Sequence, residues 1–240
     1  MPTCWVQELS RKPKLEHAKA ILASPGLRSV GWLAINYFVE KLKPTLIAKI
    51  YSTSFPVIYE TIPSYSTHPA MRGRGGVFID SGTSSEPSVE IYLHEDSLVL
   101  VKGYQANFYG QREVAEKTIE FLREIGVKLL IGLAAHATGE EEFCLAATKP
   151  ELVKEYCEVF QAKTCYVGPL LGFTGLTLGE AAICGLDGIC VFAKTMANPD
   201  FPEQPDYEAA KKLANIIANF LGIKLDLSDF EKIASSKTSF

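Results

Sequence analysis

The stretch PGLRSVGWLAINYFVEKL, residues 25–42, limits what this chain can fold into more than any other segment. From Ser29 to Val39 it carries no charge, and its apolar side chains fall on every side of a helix. Such a helix must be covered all round, by a sheet on one side and by another helix or a neighbouring subunit on the other. Val30, Trp32, Leu33, Tyr37 and Phe38 are therefore expected at a packing or subunit-interface surface. Gly26 and Gly31 suggest a second reading, because they have the glycine spacing of a phosphate-binding loop entering a helix. That chemistry next requires a Lys and a Ser or Thr, whereas Trp32 and Leu33 follow here. The two glycines are expected instead to form a tight turn and to let the helix approach its neighbours closely.

Apolar runs and turn signals place strands at 18–23, 45–52, 89–93, 98–102, 128–135, 142–148 and 188–193, with shorter ones at 57–62, 77–79 and 164–167. Helices are expected at 29–43, 111–125, 150–160 and 176–184, and from Pro205 onward. The nearly continuous apolar run 128–135 is the signature of a strand covered on both faces. This alternation predicts an α/β fold, a largely parallel twisted sheet flanked by helices. With no linker rich in Pro, Gly or Ser and no internal repeat, residues 1–230 are read as a single domain and 231–240 as a flexible C-terminal tail.

The formal net charge of −4 argues against nucleic acid as a partner, and the small basic clusters at 11–14 and 72–74 read as solvated turns. The N-terminus lacks the apolar run of a signal peptide, and the longest uncharged run, 164–179, is too short and glycine-rich for a bilayer span. A cytoplasmic protein without membrane contact is expected. The six cysteines contain no C-x-x-C pair and no short Cys/His cluster, so no metal is assigned. They read mostly as small buried residues, with Cys157–Cys165 or Cys184–Cys190 bridges left open. His136 follows a strand, where α/β sheets place ligands, but no second histidine lies near it in sequence. It is read as part of a solvated loop. The loop 168–175 is apolar and lacks Lys or Arg, and no Gly-x-Ser-x-Gly elbow occurs. No catalytic or cofactor-binding residue is assigned, and the chain is not expected to be an enzyme.

Five stretches carry a resemblance in order: SPGLRSVGWLAINYFVEKL, SVEIYLHEDSLVLVKGYQA, GVKLLIGLAAH, GPLLGFTGLTLGEAAICGLDGICVFAKT and PDYEAAKKLANIIANFLGIKLDL. From about Ala20 to Phe230 the chain resembles the proteasome-assembly-chaperone family, particularly its archaeal members. The resemblance implies a fold similar to that of nucleoside phosphorylases and an ATP-independent, non-catalytic oligomer that binds proteasome core-particle α-subunits. The partners it implies are further copies of the chain and the α-subunits, with a paralogous chaperone subunit as a further candidate. In related archaeal proteins the C-terminal tail docks through a hydrophobic-Tyr-any ending. Thr238, Ser239 and Phe240 occupy those positions here, with Ser in place of the Tyr. The fold analogy also suggests an alternative, a nucleoside-phosphorylase or nucleosidase-like enzyme, which would need an Arg and a carboxylate converging at strand ends.

Overall fold

The computed structural model describes residues 3–55, 78–104, 110–166, 168–196, 198 and 204–236. Its strands are β1 (Cys4–Glu8), β2 (Ala18–Ala23), β3 (Thr45–Ser52), β4 (Phe78–Asp80), β5 (Thr83–Ser85), β6 (Val89–His94), β7 (Leu98–Lys102), β8 (Val127–His136), β9 (Phe143–Ala147) and β10 (Asp187–Lys194). The helices are α1 (Val30–Leu42), α2 (Gln111–Glu124), α3 (Pro150–Phe160), α4 (Gly172–Ile183), α5 (Tyr207–Leu221) and α6 (Phe230–Ser236). Eight strands form one sheet in the order β1-β3-β6-β7-β2-β8-β10-β9, and β4 and β5 form a separate hairpin. The expected strand 57–62 lies outside the described residues.

The sheet is mixed rather than largely parallel. Only the centre, β7-β2-β8-β10, is parallel; every other neighbouring pair in the sheet is antiparallel. The reason is connection length. A parallel pair needs a crossover of a dozen or more residues, whereas β6 and β7 are joined by a tight turn with Glu95 and Asp96 at φ 49° and 51°. Of the strand expected at 164–167, the described residues 164–166 belong to none; the neighbouring Lys163 makes an isolated bridge, its C=O accepting from the Leu145 N–H at 2.8 Å.

Strand alternation divides the core between two faces. Ile21, Ile131, Leu133, Ile189 and Val191 point into the layer that holds α1 and α5. Ala20, Leu22, Val99, Val101 and Leu130 point the other way, with the buried face of α2. α1 lies on β7 and β8 and is covered from outside by α5 and α6 of the same chain. Tyr37 of α1 is fully buried, packs tilted against Phe230 with ring centres 4.5 Å apart, and donates to Asp229 at 2.6 Å. Phe230, Ile233 and Ala234 repeat at helical spacing and pack on this layer, so the stretch expected as a tail begins as helix α6. Residues 237–240 lie outside the described set.

Glu90 gives the antiparallel part of the sheet a pH signature. Burial pushes its carboxyl up, but the ammonium of Lys102 at 2.9 Å, the Tyr92 hydroxyl at 2.7 Å and nearby Lys49 outweigh this and hold it below the ordinary value. A carboxyl whose folded pKa is depressed adds stability above its unfolded pKa, and loses it as pH falls through the folded value. Lys102→Met should raise the Glu90 pKa. By urea denaturation, the variant should be less stable than the wild type at neutral pH, and the gap should narrow as pH falls through about 4.5, the value of the unfolded carboxyl.

Candidate functional site

In α/β sheets, ligands gather at the C-terminal ends of the parallel strands. Those ends are here held together by the chain itself. Gly103, just past β7, donates its N–H to Ala23 O at 2.7 Å, and Thr195, just past β10, donates to His136 O at 2.8 Å. Above them stands the start of α4, whose Phe173 is buried. A Cβ built on Gly103 would come within 2.4 Å of the Phe173 ring, so the aromatic fills the space over β2 and β7. Ser24 and Thr174 hydroxyls meet beside it at 3.3 Å, and Thr177 Oγ1 donates back to Phe173 O at 2.9 Å. The expected apolar loop at 168–175 therefore includes the first turn of α4, whose Phe173 and Thr174 are buried.

The turn before α1 is built differently from its expectation. Gly26 is extended at φ −157°, while Arg28 and Ser29 hold the left-handed conformation at φ 46° and 55°. That conformation costs a non-glycine residue on the order of 1 kcal/mol and persists only where surroundings enforce it. The enforcement comes from the Arg28 guanidinium, which donates to Gln204 O at 2.8 Å, to Met196 O at 2.9 Å and to Asp206 Oδ2 at 3.4 Å. Asp206 in turn accepts from Thr195 Oγ1 at 2.5 Å and from the Ala209 N–H at 3.0 Å, capping α5. An Arg and a carboxylate do converge at the strand ends, as a nucleoside-binding enzyme would need. Here both are engaged by the chain's own turn and helix cap. Hydrogen bonds to a charged donor contribute about 1.5–3 kcal/mol, so Arg28→Ala should lose about that much stability and speed amide exchange around 204–209. Unchanged exchange there would exclude the tie.

The five α1 residues singled out from sequence sit together. Val30, Leu33, Tyr37 and Phe38 are buried in the chain's own core, and Trp32 is half-buried with Lys102 Nζ 5.4 Å from its ring centre. Thr238, Ser239 and Phe240 lie outside the described residues. At the other edge of the sheet, exposed Trp5 of β1 stacks on Tyr51 at 5.8 Å, a surface feature the sequence reading did not pick out.

His136 is not in a solvated loop. It ends β8 and is 1% exposed, because alternation along β8 turns it to the α4 face, under cover that is distant in sequence. Its Nδ1 lies 2.9 Å from Thr138 O. The two open bridges also resolve differently: Cys144 pairs with Cys165, leaving Cys4, Cys157, Cys184 and Cys190 as thiols. His136, Cys144 and Cys165 have their donor atoms within 4.8 Å of one another and could hold a metal ion. Sequence reasoning missed the group because its members come from β8, β9 and the segment after α3. Among the described residues, no helix is long and apolar enough to cross a membrane.

The family model described as the PAC2 family matches residues 20–236. An uncharacterised protein of Methanocaldococcus jannaschii is 26% identical over 98% of this chain and 87% of its own length. The crystal structure of Pyrococcus furiosus PbaB, an archaeal proteasome activator, superposes with a TM-score of 0.77 at 22% identity, covering 99% of this chain and 96% of that one. Pyrococcus furiosus PbaA, an archaeal homolog of proteasome-assembly chaperone, gives a TM-score of 0.74 at 20% identity, covering 98% and 93%.

Proposed function

The chain belongs to the PAC2 family, and from that premise we propose that it is a non-enzymatic, ATP-independent chaperone or scaffold that binds proteasome core-particle α-subunits as an oligomer in the cytoplasm. One observation carries this reading: the likeness to PbaA and PbaB spans nearly the whole of this chain and nearly the whole of each of theirs. The crowded strand ends agree with it, since Phe173 and the Arg28–Asp206 tie fill the place where a small reactant would bind. Kinship with the nucleoside-phosphorylase fold belongs to the proposal as architecture only. The Ser239 departure favours a second form of the same reading, in which a paralogous subunit supplies part of the docking surface.

The test is interferometry with immobilised core particle and full-length chain, with and without ATP. Saturable binding independent of nucleotide is expected. No binding across salt conditions, either alone or with a paralogue added, would overturn the proposal.

A further inference from the structure

The His136–Cys144–Cys165 cluster has no part in the packing of α1 or in the proposed partner contact. A carbonyl oxygen has no proton to give, so the 2.9 Å approach of His136 Nδ1 to Thr138 O requires the proton on Nδ1. Nε2 then presents a lone pair. It is buried and has no hydrogen-bond partner among the described residues. A buried polar atom left in that state calls for an explanation, and a disulfide alone does not give one. Among the described residues, the donor atoms gathered with it are the two sulfurs, all within 4.8 Å of each other. An imidazole whose far nitrogen is tied to a backbone carbonyl is the arrangement found around metal-ligating histidines, because the tie fixes tautomer and ring orientation.

We propose that, once the Cys144–Cys165 disulfide is reduced, His136 Nε2, Cys144 Sγ and Cys165 Sγ bind one zinc ion, with its fourth position left to solvent. Two thiolates and an imidazole suit a borderline-soft ion and discriminate against magnesium and calcium, which take oxygen donors. The steps balance. A phosphine reductant and one water convert the disulfide to two thiols and leave phosphine oxide. Zinc binding then releases two thiol protons to solvent and none from Nε2. A low-molecular-weight disulfide reverses the change: the two sulfurs rejoin, the reagent takes two protons from solvent and leaves as two thiols, and zinc is freed. Either state ties the β9 edge to the segment after α3, through Cys144 and Cys165.

The experiment titrates cobalt(II), as a spectroscopic probe for zinc, into full-length chain reduced with phosphine and desalted without oxygen. One cobalt per chain is expected, with a thiolate-to-cobalt charge-transfer band that equimolar zinc abolishes. The oxidised chain should show no such band. His136→Ala should weaken cobalt binding about tenfold or more and alter the ligand-field spectrum, with unchanged circular dichroism. Absence of the band in reduced wild type overturns the proposal. An equal band in oxidised wild type, or an unaltered spectrum and affinity in His136→Ala, does so as well. Both wild-type arms decide the matter even if a variant fails to fold.

Discussion

Replacing Gly31 by valine is expected to cost at least about 3 kcal/mol, the upper part of the range for overpacking a filled core. A Cβ at Gly31 would stand 2.2 Å from the carbonyl oxygen of Leu133 and 2.8 Å from its carbon. Those atoms belong to the backbone of β8, which is paired on both sides by β2 and β10 and cannot swing away as a side chain could. Relief requires α1 to move, and α1 is held from outside by α5 and α6. Domains of this kind have only about 5–15 kcal/mol in hand, so the urea midpoint should fall steeply. Gly179→Ala is the control: nothing lies within 4 Å of its added methyl, and a gain of about 0.4–1 kcal/mol is expected there. Equal behaviour of the two variants would contradict the close approach of α1 to β8.

Removing residues 237–240 is expected to weaken binding to the core particle by about a hundredfold or more, if the chain acts as a multimer. Burying one Phe gives about 1.5–3 kcal/mol, less than the 4 kcal/mol or so of even a millimolar complex. One Phe240 would hardly hold a partner. Several on a closed oligomer convert later contacts into intramolecular ones, so the loss should greatly exceed the worth of a single ring. Phe240→Ala should reproduce most of it, and neither change should alter the urea midpoint. Undiminished binding by the truncated chain would move the contact elsewhere on the surface.

The central elements were legible because their residues state their environment locally. The run 128–135 is apolar on both faces, and Tyr207, Leu213, Ala214 and Ile217 repeat at helical spacing, so β8 and α5 follow from pattern alone. α1 was legible as an all-round buried helix, though the sequence left open whether another helix of the chain or a neighbouring subunit covers it; α5 and α6 do. What pattern did not reveal rests on distant contacts. β1 is short and becomes a strand through its antiparallel pairing with β3. α6 has only seven residues, and Phe230 is buried because Tyr37 is there to receive it. The edge position of β9 beyond β10 depends on a connection that skips a neighbour. Gly26 looked like the turn's permissive residue, yet Arg28 and Ser29 take the left-handed angles because the guanidinium is anchored far along the chain. His136 and its two cysteines came together for the same reason: three separate elements converge after folding.

Under the proposed function the chain works by contact with other proteins, in several copies. Native mass spectrometry of the full-length chain, alone and then with proteasome α-subunits, tests this most directly. A closed assembly of several copies, and a joint complex on mixing, are the predicted results. A strictly monomeric particle that forms no joint species at any salt concentration would contradict it.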